Sequence, residues 1–476
     1  MRFDTDYTMT IDGAGVGARD SFPVINPATE DVIASVPDCS REQLDQAVAA
    51  ATAAQPGWAA LSLDERRTFL NAVADAVEAN KEAFMSLLTS EQGKPRAGAE
   101  WEVNACIDWA RGTCALDLPT EVVEDTPSRK IEVRHTPIGV VGAITPWNYP
   151  ILLAHWKLAP ALLAGNTLVL KPSPYTPLTS LKFGELLRDI LPAGVFNVVS
   201  GGNDLGKWMT DHPDIGKVTF TGSTATGKTI MGSASDTLKR VTLELGGNDA
   251  AIVLPDVDPK RIAEKLFWAA FQNSAQLCVA AKRLYIHSDV YDAVAQALVD
   301  YAKTVKMGDG ANQGTDLGPI QNKMQFEKVK ALLADARAQG QKFLLGGDVP
   351  DGKGYFVPVA IVDNPPEDSR VVAEEAFGPV LPLLKFDTID EAVARANDSD
   401  YGLGGSVWSG DSDAAYRVAE RLETGTVWIN DLQIFAPDIA FGGHKQSGIG
   451  VEHSAHGLRE FTNAQTIVTN RTVEPA

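Results

Sequence analysis

Three side chains in this sequence have the type and setting for covalent chemistry: Cys278 in FQNSAQLCVAAK, Glu244 in LELGGND and Asn148 in TPWNYP. Each also has an ordinary role. A free cysteine commonly packs as a small hydrophobe, although its thiolate is a nucleophile. Glu244 lies between Leu243 and Leu245 at the end of an apolar run, so either a salt bridge satisfies it or burial tunes it towards general-base work. Asn148 stands between Pro146 and Pro150, placed to cap the following helix or to donate an amide N–H to a developing oxyanion.

The elements that must position these residues can be read from hydrophobic periodicity. Residues 41–91 repeat apolar positions with helical spacing, interrupted at Pro56-Gly57, which predicts a helical N-terminal section. Short apolar runs follow, GVVGAIT, NTLVLKP, VFNVVSG, KVTFTGS and RVTLELGG, several separated by helical patterns such as LTSLKFGELLRDIL. A second series comprises AAIVL, RLYIH, FLLGG, FVPVAIV, LPLLKF, GGSVWS and GTVWIN. Buried strands alternating with helices predict two α/β units with parallel sheets. Two alternating segments, EVVEDTPSRKIEVRHTPIG and QTIVTNRTVE, could pair with each other or extend a neighbouring subunit's sheet.

FTGSTATGK is a strand, a Gly-rich turn and a helical pattern in succession. Gly227-Lys228-Thr229 follows Gly222 one residue too soon for a P-loop, so the turn is either a phosphate cradle of another kind or a plain strand-to-helix connection. Adjacent Gly246-Gly247 permits a sharp turn that could aim Glu244 into a cleft.

A chain of 476 residues with 44% hydrophobic residues has material for two or three domains. Its formal charge of -20 repels phosphate backbones and argues against nucleic acid as a partner. The four cysteines form no CxxC pair, and no histidine stands at ligand spacing, so no metal site is expected. Sparse cysteine, no signal-peptide pattern and no long apolar run point to a cytoplasmic protein without a membrane span.

TPWNYP, KPSPYTP, FTGSTATG, LELGGND, the Cys278 segment, EEAFGPV, YGLGGSVWS, GTVWIN and FGGHKQSGIG occur in the order and approximate spacing of the aldehyde dehydrogenase superfamily. The chain resembles that family from about residue 26 to residue 466. The resemblance implies a Rossmann-like cofactor-binding domain, an α/β catalytic domain and a small β oligomerisation flap. It places the cofactor domain in residues 1–114 and 138–246, the catalytic domain in 247–446, and oligomerisation or bridging segments in 115–137 and 447–476.

By the same resemblance Cys278 is the nucleophile, Glu244 the general base, and Asn148 with the Cys278 backbone N–H the oxyanion hole. NAD or NADP is the implied cofactor, held by Thr145, Trp147, Lys171, Ser173, Pro174, Gly222, Ser223, Gly227, Leu245, Glu375 and Phe377. Tyr149, Trp156, Leu277, Val279, Ile434, Phe435 and Phe441 match the aldehyde tunnel, whose apolar and aromatic character suits an aromatic or medium-chain aliphatic aldehyde. The family comparison further implies a homodimer or homotetramer. Two alternatives remain: a CoA-acylating aldehyde dehydrogenase, whose members typically lack a glutamate at position 244, and a non-catalytic ligand-binding or structural relative.

Two departures bear on mechanism. Family members commonly have Gly where this chain has Ala275, and a loop needing positive φ there would make Ala costly; Leu277 is a bulky neighbour for the nucleophile. Many NAD-preferring members have a glutamate three residues after the KPS lysine, where this chain has Pro174. Losing that carboxylate makes dual use of NAD and NADP the expectation.

Overall fold

A computed structural model describes residues 2–472. The first sheet has eight strands, of which five run parallel: Val140–Ile144, Thr167–Lys171, Phe196–Val198, Lys217–Thr221 and Arg240–Glu244. Taking these five in chain order as one to five, their spatial order is 3-2-1-4-5, the arrangement of a dinucleotide-binding fold. Short antiparallel strands finish both edges, Met9–Ile11 with Ala14–Val16 on one side and Gly448–Ile449 on the other.

The second sheet has seven strands and is parallel except at Lys342–Leu345. Asp249–Val253, Ala281–His287, Gly404–Trp408 and Val380–Phe386 form its centre. Every apolar run read as a strand in either unit contributes one. The architecture is the expected α/β fold with a Rossmann-like sheet.

The two alternating segments do pair. Thr462–Asn470 lies antiparallel to Arg129–Pro137, which also pairs with Glu121–Asp125, giving a separate three-stranded sheet.

Four helices, α1 (Arg41–Ala60), α2 (Leu63–Ala79), α3 (Lys81–Gln92) and α4 (Arg96–Thr113), precede the first sheet's central strands. α1 corrects one expectation, because it runs through Pro56-Gly57 without a break. Both residues face solvent, so water can satisfy the Thr52 carbonyl that Pro56 leaves without a donor. Trp58, buried one residue beyond, donates from Nε1 to the Leu162 carbonyl at 2.9 Å and anchors the last turn. The helix ends at Leu61, where Ser62 and Glu65 form a capping box that starts α2.

A fifth helix, α5 (Pro150–Leu163), is buried along its whole length. No candidate membrane-spanning helix occurs among the described residues.

Candidate active site

Of the three candidates, Glu244 ends a strand, whereas Asn148 and Cys278 lie in loops, after strand Val140–Ile144 and before strand Ala281–His287. Glu244 is the last residue of its strand in the first sheet, and Asp249 opens a strand of the second. Gly246-Gly247 lies in that crossing, and neither glycine adopts positive φ. Their role is close approach: a Cβ on Gly246 would lie 2.6 Å from Glu375 Oε2, and one on Gly247 would lie 2.7 Å from the Cys278 carbonyl oxygen.

Glu244 is buried, and neither carboxylate oxygen has a hydrogen-bond partner. Burial above all, and then the negative charge of Glu452, push its pKa well above the ordinary carboxylate range; Lys157 opposes them. Lys157 and Glu452 form a buried ion pair at 2.5 Å. The salt bridge that could have satisfied Glu244 is therefore made by Glu452 instead.

Asn148 is not a helix cap. Tyr149 occupies the N-cap position of α5 and makes no side-chain cap bond. The backbone N–H groups of Ile151 and Leu152 are accepted by Glu102 of α4, at 3.1 and 3.2 Å. The Asn148 Nδ2 group donates to the Gln276 carbonyl at 2.9 Å, two residues before Cys278. One of its two N–H bonds fixes the amide, and the other is available to a ligand oxygen.

Asn148 is held from behind by its own carbonyl, which accepts from Lys94 Nζ at 2.9 Å and Asn273 Nδ2 at 3.2 Å. Lys94 in turn pairs with Glu102 at 2.5 Å, both side chains at most 1% exposed. Breaking a pair this deeply buried costs about 3–5 kcal/mol, so it fixes the α4–α5 junction that presents Asn148.

Cys278 follows a strained loop. Asn273, Ser274 and Ala275 have φ of 53°, 56° and 59°, three consecutive left-handed residues, none of them glycine. Side chains over-determine the conformation: Ser274 Oγ donates to the Gly318 carbonyl at 2.7 Å, and Gln276 Nε2 to those of Asn273 and Pro319. Gln276 Oε1 accepts from the Gln321 N–H at 2.8 Å. The expected difficulty at position 275 is present.

A left-handed residue with a β-carbon costs roughly 1–2 kcal/mol, partly offset by the lower unfolded-state entropy of alanine. Ala275→Gly is expected to stabilise the protein by about 1 kcal/mol, read as a higher midpoint of chemical unfolding. A lower midpoint would mean that the loop does not hold this conformation.

The Cys278 thiol is half-buried, and its pKa is pushed up to about 12, by burial first, with Lys282 opposing. Its three fellow cysteines are buried and unpaired by disulfide. Among the described residues no group of three His, Cys, Asp or Glu side chains could hold a metal ion.

The proposed tunnel residues lie in several different settings. Trp156, Phe435 and Phe441 form one aromatic cluster with centroid separations of 5.1–6.2 Å. Tyr149 is buried beneath the Lys94 ammonium, 3.7 Å from its ring centroid, and meets Trp101 edge-on at 5.8 Å. Leu277 is half-buried, Val279 is packed in the core, and Ile434 is 52% exposed.

The proposed cofactor residues gather where the strand order of the first sheet reverses, the position at which such folds open a ligand crevice. Thr145 follows the Val140–Ile144 strand, and Gly222 and Ser223 follow the adjacent Lys217–Thr221 strand. Ser223 caps helix Thr224–Ala234, accepting from the Thr226 N–H at 3.3 Å, so its turn is a helix N-terminus suited to phosphate. A Cβ at Gly227 would lie 2.5 Å from a methyl of Leu245, so that glycine lets the helix approach the strand.

Lys171 ends its strand, buried, with its pKa lowered to about 8 by desolvation. Its ammonium has one long bond, 3.4 Å to the Pro172 carbonyl, so a polar ligand group would improve its solvation. Ser173 and Pro174 sit in the turn closed by the Thr176 N–H and the Ser173 carbonyl at 3.2 Å. Across the cleft Phe377, at φ 49°, meets Trp147 edge-on at 5.3 Å, and Glu375 accepts from the Gly247 N–H at 3.1 Å.

Sequence reading missed several neighbours of the site. Lys157 was legible in principle, as a lone cation in the apolar run PILLAHWKLAPALL. His453 was not. Its Nδ1 accepts from Trp109 Nε1 at 3.1 Å, its ring stands perpendicular to Trp156 at 4.2 Å, and burial lowers its pKa to about 3.

Comparison with known proteins gives one consistent result. The sequence profile of the aldehyde dehydrogenase family matches residues 16–467. The chain is 39% identical to a phenylacetaldehyde dehydrogenase of Pseudomonas fluorescens, over 97% of this chain and 95% of that protein. It is 38% identical to a chloroplastic betaine aldehyde dehydrogenase of Beta vulgaris, over 96% and 94%. A solved betaine aldehyde dehydrogenase of Staphylococcus aureus in complex with NAD+ superposes with a TM-score of 0.95 at 34% identity, covering 98% of this chain and 96% of that one.

Proposed function

The chain belongs to the aldehyde dehydrogenase family, and from that membership we propose that it oxidises an aromatic or medium-chain aliphatic aldehyde to its carboxylic acid with NAD or NADP. One observation carries the reading. The Asn148 amide is tied to the Cys278 loop at 2.9 Å, and a buried carboxylate with no partner, Glu244, acts electrostatically on the Cys278 thiol.

In this reading the Cys278 thiol first releases its proton to solvent, the resulting thiolate sulfur attacks the aldehyde carbonyl carbon, and the carbonyl oxygen takes up the electron pair as an oxyanion. The free N–H of Asn148 Nδ2 and the Cys278 backbone N–H receive that charge. The chemistry NAD(P) supplies when bound is acceptance of a hydride. Oxidation leaves the acyl group on Cys278 as a thioester. Glu244 then takes a proton from water, whose oxygen attacks the acyl carbon and returns the thiol. A carboxylate this poorly solvated is a stronger base than one in water.

Thr145, Trp147, Lys171, Ser173, Ser223, Glu375 and Phe377 would hold the cofactor, with Gly222, Gly227 and Leu245 shaping its turn. Residues 1–114 and 138–246 form its domain, and 247–446 carry the nucleophile. The three-stranded sheet of Glu121–Asp125, Arg129–Pro137 and Thr462–Asn470 would join copies of the chain, since its Glu121–Asp125 edge exposes Val122 and Val123; Gly448–Ile449, assigned by the resemblance to the same segment, instead extends the first sheet. Four cysteines without a disulfide suit the cytoplasm.

The substrate class rests on the Trp156–Phe435–Phe441 cluster. The neighbouring buried cations, Lys94 and Lys157, are each paired with a carboxylate, so a substrate carboxylate would find no free cation there. Rates with phenylacetaldehyde, hexanal and succinic semialdehyde, read at 340 nm with each cofactor, test the assignment. Succinic semialdehyde as the best substrate would overturn the substrate class, and no reduced cofactor with any aldehyde would overturn the activity.

Pro174 sets the expected cofactor behaviour. A carboxylate at this position would accept a hydrogen bond from the ribose 2′-OH and repel a 2′-phosphate, an effect of about 1.5–3 kcal/mol. Wild type is expected to accept both cofactors. Pro174→Glu is expected to move the ratio of kcat/KM values about tenfold or more towards NAD. A fall in both values at constant ratio would assign Pro174 to the Ser173–Thr176 turn alone.

A further inference from the structure

One buried side chain joins the turn between the two sheets, the nucleophile segment and the cofactor-facing loop. Lys282, on strand Ala281–His287, is 5% exposed. Its ammonium donates to the Gly247 carbonyl at 2.7 Å and to the Cys278 carbonyl at 2.5 Å, and pairs with Glu375 Oε1 at 3.1 Å. An ammonium has three protons, so this set saturates it. Glu375 Oε1 also accepts from the Gly247 N–H at 3.1 Å, and the side chain is 16% exposed, at the edge of the interdomain cleft. The reaction as derived above leaves Lys282 unused.

Among charged groups, Lys282 favours ionisation of the Cys278 thiol, whereas Glu244, Asp249 and Glu375 oppose it. One cation is set against three carboxyl groups, and that cation is itself neutralised by Glu375. This is a resting arrangement that keeps the thiol protonated.

We infer that Lys282 is a positioning residue that couples occupancy of the nicotinamide-ribose site to ionisation of Cys278. The inference rests on the reading of Glu375 as a ribose ligand. Ribose hydroxyls donating to Glu375 draw its carboxylate away from Lys282. The Lys282 charge then remains on the Gly247 and Cys278 carbonyls, uncompensated, and its favourable effect on the Cys278 thiolate is no longer offset. Departure of one negative charge and exposure of one positive charge act in the same direction, towards the thiolate. An opposite charge within about 4–6 Å lowers an acid's pKa by roughly 1–3 units.

The test is the pH dependence of Cys278 alkylation by iodoacetamide, followed by mass spectrometry of the Cys278 peptide with and without saturating NAD. NAD binding is measured separately by quenching of tryptophan fluorescence. In wild type, NAD is expected to lower the alkylation midpoint by about one pH unit or more. Lys282→Met should lose that shift while still binding NAD. Glu375→Gln should lower the midpoint already in the cofactor-free protein, with NAD adding little.

A full NAD-dependent shift in Lys282→Met, or an unchanged cofactor-free midpoint in Glu375→Gln, overturns the coupling. Should Lys282→Met not fold, the Glu375→Gln midpoint decides alone. A wild type that binds no NAD overturns the cofactor assignment, and the cofactor-free midpoints still decide whether Glu375 masks Lys282.

Discussion

Cys278→Ala is expected to lower the rate of aldehyde oxidation by about 10⁴-fold or more while leaving the affinity for NAD within about threefold of wild type. Without the sulfur no tetrahedral adduct forms, and a carbonyl carbon has no electron pair with which to expel hydride. The proposed cofactor residues lie on other segments, at the strand ends after Ile144, Lys171 and Thr221 and on the loop of Glu375 and Phe377. The substitution removes a single sulfur atom from a residue that is itself only partly buried. Substantial residual turnover would remove Cys278 from the mechanism.

Glu244→Gln has the next largest expected effect, on a different step. The amide is nearly isosteric and leaves the Lys157–Glu452 pair intact, so attack by Cys278 and the first hydride transfer proceed. Thioester hydrolysis loses its base, and steady-state turnover falls by about 10²–10³-fold. Rapid mixing should show a burst of reduced cofactor near one per site, followed by slow turnover.

The pH profile supplies a second signature. Glu244 has a raised pKa, so in wild type the hydrolytic rate rises with pH as the carboxyl loses its proton. In the Gln variant that limb disappears. A burst amplitude that falls together with the steady rate would move Glu244 to an earlier step.

The strands and the motif residues were legible because their signals are local. VVGAI, TLVLK and RVTLE are short apolar runs closed by Gly or Pro, and each is a strand. Cys278, Glu244 and Asn148 each have an ordinary reading on residue type alone, and only the collinear motifs of the family resemblance give them roles.

Features set by distant contacts were not legible. Lys157 meets Glu452 across 295 residues, and Trp109 meets His453 across 344, so no window of sequence contains either pair. Pro56 looked like a break because propensity counts the lost hydrogen bond without knowing that the freed carbonyl faces water. At Asn273–Ala275 local preference opposes the observed backbone, which is imposed by Gly318, Pro319 and Gln321.

The pairing of Thr462–Asn470 with Arg129–Pro137 also sets the order of events during synthesis. Arg134 reaches Gln465 across 331 residues, so during synthesis the middle sheet strand waits, with one edge unpaired, until those residues have been added. The same late segment delivers Glu452 and His453, and with them the partners of Lys157 and Trp109. Before that segment arrives, Lys157 and Glu244 lack the Glu452 carboxylate that pairs with the one and acts on the other. One late segment thus both closes the three-stranded sheet and supplies the partners of Lys157 and Trp109, which ties the pairing of that sheet to the packing beside Glu244.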